Sequence, residues 1–487
     1  MRRTLIALTL LLTAAPAWAG TELSLAEAME RALSGHTELQ ITALSRDQAQ
    51  ASLLRARSSW DPQLTAGLSS DSSENRGYIA GYPTSSQATG WGSSAGVSGT
   101  LPTGTSWSVS GRLLQDSTTT SASLGGVEGT PTTYESWSAN AGVKVSQDLL
   151  ALLRDSAPKI AVRTSSEQLS RAEAAVLQAE QGAVVEVASA WWDWAAAAQA
   201  EALAGGTLAE AEALERRTRA WLEEGRVAEL ELSRVTAEQL AARRDLLLAA
   251  SRTRKAGDRL LVLLGREPGA DLSPGAEALA WPVPSSLDAP EHLARAAAGN
   301  LDLRLAQLDL DAAHAAAGDA RDQRLPSLDL SGTASVGSLS ASASEAVSDL
   351  RGDAALPGYG VALDLTVPLS GRSARAARDS AEAAVLAAKL RLDARERTVR
   401  ADTLAALDAV GTARLSLALA EARLRVAQET EAGERARVEE GLTRLDQLLL
   451  AQDQRDQAAA TVISARRDLS SAELSLAAVE GAVVAPR

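Results

Sequence analysis

Leu23–Leu64, LSLAEAMERALSGHTELQITALSRDQAQASLLRARSSWDPQL, and Leu287–Leu328, LDAPEHLARAAAGNLDLRLAQLDLDAAHAAAGDARDQRLPSL, are one segment written twice. Laid over each other without a gap, they share Leu23/Leu287, Glu27/Glu291, Arg31/Arg295, Ala32/Ala296 and Gly35/Gly299. The identities continue through Leu39/Leu303, Leu44/Leu308, Asp47/Asp311, Arg57/Arg321 and Pro62/Pro326, all 264 positions apart. A second register, 216 positions apart, pairs Glu215/Glu431, Arg219/Arg435, Ala220/Ala436, Glu223/Glu439, Glu224/Glu440, Gly225/Gly441, Leu232/Leu448 and Gly265/Gly481. Alanine and leucine recur by chance in helical sequence, whereas matched glycines and prolines at punctuating positions do not. The chain is therefore an internal duplication. The change of register places the first repeat's excess between Pro62 and Gly225. The Ser/Thr/Gly-rich tracts Ser69–Gly92 and Gln115–Thr133 lie there and are read as loop or extra strand.

The domain reading follows: a first repeat over 20–265, a proline-rich linker over 266–286 (Pro268, Pro274, Pro282, Pro284), a second repeat over 287–481 and a tail over 482–487. Each repeat reads helix, strands, long helix, turn, helix. From Arg372 to Glu440 no proline interrupts, and Val385, Leu392, Val399, Ala406, Ala413 and Ala420 fall seven apart, a coiled-coil seam. The first repeat runs similarly from Pro158, a first-turn proline, to Glu224. Each such helix is about 100 Å long at 1.5 Å per residue. Leu23–Ser59, Arg226–Leu264, Leu287–Arg324 and Leu442–Val479 are expected as shorter helices, two of which laid end to end match one long rod.

Other segments alternate with period two. Gln63–Ser69 sets Leu64, Ala66 and Leu68 against small or polar residues. Ser106–Arg112 does so with Trp107 and Val109, and Tyr359–Val367 with Tyr359, Val361, Leu363 and Leu365. This is the pattern of transmembrane β-strands, apolar outward and polar inward. Tyr78, Tyr82, Tyr134, Tyr359, Trp60, Trp91, Trp107 and Trp137 all lie in or beside these segments, as interfacial girdles require, and the chain has no phenylalanine.

Residues 1–19 read as a secretory signal: Arg2 and Arg3, an apolar run from Leu5 to Ala15, then Ala17-Trp18-Ala19. No other segment reads as an uninterrupted apolar stretch of spanning length, so a membrane-embedded mature chain is expected to be a closed β-barrel. The chain has no cysteine, which removes disulfides, thiolate metal sites and lipid attachment through an N-terminal cysteine. A net charge of −14 argues against nucleic acid. A few strands per chain cannot close a barrel around a wide lumen, and open edges are forbidden in lipid, so several chains must share one barrel.

With that assembled, the chain resembles the TolC-like outer-membrane efflux protein family (outer-membrane factors) over nearly its whole mature length. The resemblance rests on the helix-to-strand prolines (Arg57-x4-Pro62, Arg321-x4-Pro326) and on the strand-to-helix passages Val145-Ser146-Gln147-Asp148-Leu149-Leu150 and Val367-Pro368-Leu369-Ser370-Gly371. It rests too on the tips Trp221-Leu222-Glu223-Glu224-Gly225 and Val438-Glu439-Glu440-Gly441. It implies an α+β membrane protein, internally duplicated, with a shared transmembrane β-barrel in the outer membrane of a Gram-negative bacterium and a long periplasmic α-helical coiled-coil barrel. The function implied is that of a channel-tunnel subunit in a tripartite efflux pump or type I secretion system. It would be a passive exit duct for small molecules, metal ions or polypeptides, and no enzyme. The partners implied are a homotrimer, a periplasmic adaptor protein, an inner-membrane transporter and outer-membrane lipid, with no cofactor or metal.

By position, the adaptor-docking tips are Gly225, Arg226 and Val227 with Gly441, Leu442 and Thr443, and the periplasmic gate candidates are Glu231, Asp446 and Arg444. Arg226 and Arg444 are expected to bridge Glu231 and Asp446. The family's acidic position six after the tip glycine is Glu231 in the first repeat but Gln447 in the second. Leu101-Pro102-Thr103-Gly104-Thr105 is a tight-turn signal between alternating runs, so the first repeat holds four strands if the signal is real and two, as is usual in the family, if it is not. The alternative functions are a periplasmic adaptor, which would show one hairpin flanked by compact β-domains, and a coiled-coil structural envelope protein, which leaves the strands unexplained. His36, His292 and His314 all sit in helical repeat segments, and no phosphate-binding, zinc-binding or nucleophile motif accompanies them.

Overall fold

The computed structural model describes residues 22–79, 82–124, 127–128, 130–150, 155–269, 273–274, 287–322, 325–353, 355–367, 369–440 and 442–483. The signal segment 1–19, most of the linker and the end of the tail lie outside the described residues. In chain order the elements are β1 (Glu22–Leu23), α1 (Leu25–Gly35), α2 (Thr37–Arg57), β2 (Gln63–Ile79), β3 (Tyr82–Thr100), β4 (Ser106–Leu124), β5 (Val127–Glu128), β6 (Thr132–Asp148), α3 (Ala157–Glu223) and α4 (Glu229–Leu263). There follow β7 (Ser273–Pro274), α5 (Ala289–Gly299), α6 (Leu301–Asp322), β8 (Ser327–Ser340), α7 (Ala343–Asp349), β9 (Leu356–Thr366), α8 (Arg372–Glu439) and α9 (Leu445–Val479). Contacts divide the chain into a helical unit (1–45, 172–306, 391–487) and a unit that contains the main sheet (46–171, 307–390), so each repeat contributes to both.

The duplication reappears element by element. α1 and α5 each have 11 residues, α4 and α9 each 35, and α3 and α8 have 67 and 68. Both of the first short helices, expected as single rods, are broken once, at His36 and at Asn300. There the backbone turns extended, with ψ of 120° and 121°. The Asn300 carboxamide explains its half of the break: its oxygen accepts from the Leu303 N–H (3.2 Å), capping α6, while its nitrogen donates to the Val479 carbonyl (2.9 Å). Each break abuts the far end of the repeat's last helix. A methyl on Gly35 would overlap the Leu264 carbonyl, and one on Gly299 the Glu480 carbonyl. Gly265 and Gly481, both at φ +70°, close those last helices. In each case an N–H reaches back five residues (Arg266 to Leu261, Ala482 to Ala477), both at 2.8–2.9 Å.

The helical unit is cored by Trp191, Trp192 and Trp194 of α3, packed against Leu23, Val184, Val187, Leu260 and Leu474. The Trp191 indole N–H donates to the Leu23 carbonyl (3.1 Å). The positions 216 later, Leu407 and Val410, form the corresponding core with Ala406 and Leu476. Along α8 the expected seam is buried or half-buried at all six heptad positions, and continues at Ala427. By length and composition alone, one 18-residue window of α8 is apolar enough to cross a bilayer.

The other unit is built on one antiparallel sheet in the order β2-β3-β4-β6-β8-β9, with the two-residue β5 beside β4. The tight-turn signal was real: Leu101–Thr105 closes β3 onto β4, its Gly104 at φ +83°. The tracts read as loop or extra strand are strand through most of their length. Ser85 and Thr119 sit inside β3 and β4, where their hydroxyls bond across to Ser121 (2.7 Å) and Thr133 (2.9 Å). An antiparallel ladder satisfies the backbone whatever the side chains are, and threonine is at ease on a pleated surface. Helix α7, capped by the Ser342 hydroxyl, which accepts from the Glu345 N–H (3.3 Å), and absent from the sequence reading, lies against the sheet with Ala346 buried over Ala139 and Ser338, and the Ser338 hydroxyl donates to the Ala346 carbonyl.

Candidate functional site

The two helical hairpins end in tips built alike. At the first, α3 stops where Gly225 takes φ +73°, and the Arg226 N–H returns to the Trp221 carbonyl (2.8 Å). At the second, the Leu442 N–H returns to the Arg437 carbonyl (2.8 Å), while Gly441 itself lies outside the described residues. Behind the tips, Leu214 of α3, Val235 of α4 and Leu445 and Leu448 of α9 form a small core with Val438 of α8. The ion pair between Arg217 and Glu439 (3.5 Å) ties α3 to α8 at the same level. Arg226, Leu442 and Asp446 are exposed and Val227 and Thr443 half-exposed, so this end presents a charged and partly apolar surface on a fixed base.

The expected gate bridges are not made within one chain. Arg226 lies over the Trp221 ring (5.4 Å to its centroid) and pairs with Glu224 (3.5 Å), two residues before it across the turn. Glu231 pairs instead with Arg234 (3.4 Å), one helical turn on in α4. Arg444 stands at the N-cap of α9 and makes no capping bond, and an Asp446 carboxylate oxygen accepts from the Gln447 N–H (3.1 Å). The reason is local geometry: a side chain three or four residues along a helix is nearer than one across a turn.

Sequence reading missed a charged network deeper in the hairpins. The Arg455 guanidinium of α9 reaches Glu210 of α3 (2.9 Å), Glu431 of α8 (3.3 Å) and Asp456 (2.6 Å), and Asp456 in turn accepts from Thr207 (2.8 Å). Burial opposes the charge on Arg455, but the hydrogen bonds to Asp456 and Glu210 outweigh it and raise its pKa. Glu238 of α4 and Asp453 of α9 beside it titrate above ordinary carboxylates, first because the packed helices partly shield them from water, then because other carboxylates stand near. Together they line a cavity of about 20 Å³, enough for roughly one water. The available signal was the repeated pair Glu215/Arg219 and Glu431/Arg435, which forms bridges one turn apart at 2.7 and 2.5 Å. Among the described residues no cluster of His, Asp and Glu could hold a metal ion.

Residues 293–482, nearly the whole second repeat, match the family described as outer membrane efflux protein. Among solved structures, CusC aligns at 18% identity over 96% of this chain and 93% of its own, with a TM-score of 0.68. The outer-membrane channel OprN aligns at 19% over 95% and 91%, also at 0.68. The open state of the Neisseria gonorrhoeae MtrE outer membrane channel aligns at 18% over 94% and 88%, at 0.66. No curated protein sequence matches the chain. The second repeat thus carries the sequence pattern of the outer membrane efflux proteins, and the whole chain has the fold of these outer-membrane channels.

Proposed function

We propose that three copies of the chain form one exit duct, docked at its helical tips to a periplasmic adaptor protein and through it to an inner-membrane transporter. The observation that carries the assembly is the pair of unfilled sheet edges. Among the described residues β2 pairs only with β3 and β9 only with β8, and neither edge can stand open in hydrocarbon. Cargo of the small-molecule, metal-ion or polypeptide class would pass passively. The repeats 20–265 and 287–481 act as two equivalent arms of each subunit, and the linker 266–286 joins them.

The docking surface comprises Gly225, Arg226 and Val227 with Gly441, Leu442 and Thr443. What supports it is that both tips are stiffened by the same closure and present exposed side chains over one small core. Glu231, Asp446 and Arg444 are the gate residues, acting between subunits, where threefold symmetry brings like carboxylates together. Photocrosslinking residues placed at Val227 and Thr443 test the docking: both should capture the same envelope protein in cells. Capture at strand positions but at neither tip would overturn it. Conductance tests the gate. The double variant Glu231→Ala with Asp446→Ala should conduct more in planar bilayers and resist divalent-cation block. An unchanged trimeric variant would place the gate elsewhere.

A further inference from the structure

The four strands of the first repeat and two of the second leave one question about the membrane wall: whether the β3–β4 hairpin belongs to it. One cross-strand row decides this. Leu64, Val97, Val109, Val143, Ala334 and Tyr359 are successive partners from β2 across to β9. All six are apolar or aromatic, without a break at β3 or β4. The neighbouring row, on the opposite face, is Thr65, Gly96, Ser110, Gly142, Ser335 and Gly358. A hairpin folded out into water would have no need to carry the same apolar position on the same face as its neighbours. Leu64, Val109, Val143, Tyr359 and Val361 are all exposed in the single chain, so at this level nothing within the subunit covers the face; α7 covers it only farther along, at Ala139 and Ser338. The polar face of the hairpin and its neighbour carries Arg112, Asn140 and Lys144. That is the chemistry of a barrel wall with lipid outside and water inside.

We propose that all six strands lie in the membrane wall, so that the duct opens outward through a barrel of eighteen strands, three copies of six. This rests on the three-chain reading above. Polarity permits the closure: an even number of strands per chain leaves β2 and β9 running in opposite directions, so β9 of one copy meets β2 of the next antiparallel, as the rest of the sheet does. The diameter of a barrel grows roughly in proportion to its strand number, and barrels of 16–18 strands leave an aqueous channel. Two more strands per chain therefore give a lumen about one and a half times as wide as a wall of four strands per chain would. Helix α7 rests on the same face as the apolar row, over Ala139 and Ser338.

The natural absence of cysteine makes the test direct. Single variants Val97→Cys and Val109→Cys on the hairpin, and Val361→Cys on β9, are labelled with an environment-sensitive fluorophore and reconstituted in vesicles containing brominated acyl chains. The expected result is equal quenching at all three, with Ser98→Cys and Ser110→Cys quenched instead by aqueous iodide. Quenching at Val361→Cys alone would put the hairpin outside the wall and overturn the proposal. Crosslinked mass of the same samples reads the subunit number separately. A count other than three would overturn the eighteen-strand total and the trimer reading together. Lipid quenching at the hairpin with three subunits, and eighteen strands in an end-on electron-microscopy projection, would establish it.

Discussion

The two repeats differ little in their helices and greatly in their strands, and the difference has a physical cause. The helices of one hairpin are matched in length by their counterparts in the other. Adding turns to one of them would unpair apolar side chains on all, so α4 and α9 keep the same 35 residues and α3 and α8 differ by one. A sheet tolerates additions provided they come as hairpins, because two strands restore the direction of the chain and one does not. The first repeat has gained such a pair, and the exit into α3 is unaffected by it.

The largest test of this equivalence compares the two cores. Trp194→Ala should cost about 4 kcal/mol of stability and Val410→Ala, its counterpart, about 2 kcal/mol, since the loss follows the volume removed. Denaturation of the detergent-solubilised protein reads both; equal losses would mean that the tryptophans do not dominate the helical core. Next come the paired glycines. Gly265→Val and Gly481→Val should each cost about 3 kcal/mol, because a left-handed φ is added to overlap with a facing carbonyl. Gly411→Ala, in open space on α8, should instead gain about 0.5 to 1 kcal/mol. If only one of the two valine variants is destabilised, the repeats' junctions are not equivalent.

A smaller effect is expected from Glu238 and Asp453. Both titrate above their ordinary values of 4.5 and 3.8 when folded, so between those values and the raised ones the folded chain holds more protons than the unfolded one. Stability must then fall as pH rises through that window and level off above it. Glu238→Gln with Asp453→Asn should flatten this part of a stability–pH curve. An unaltered slope would show that these carboxylates are not the cause. Smallest is the tip contact: Trp221→Leu should cost about 0.5 kcal/mol through loss of the stacked Arg226, and a larger loss would give the tip a structural role beyond docking.

Local signals determined much of this protein by themselves. The glycines at 35, 225, 265, 299 and 481, the heptads of α8 and the period-two runs each depend on a residue and its near neighbours, so duplication, helix lengths and strand identity were legible. Serine and threonine tracts were ambiguous for the opposite reason. Their strand state is supplied by hydrogen bonds to a partner strand up to dozens of residues away, as Ser85 to Ser121 shows. The candidate site divides in the same way. The tip positions followed from punctuation, but the partners of Arg455 on other helices depend on which side chains the fold brings within a few ångströms. Glu224 and Arg234 stand within one turn of their partners and were within reach of sequence spacing, whereas only the tertiary structure could bring Glu210 to Arg455.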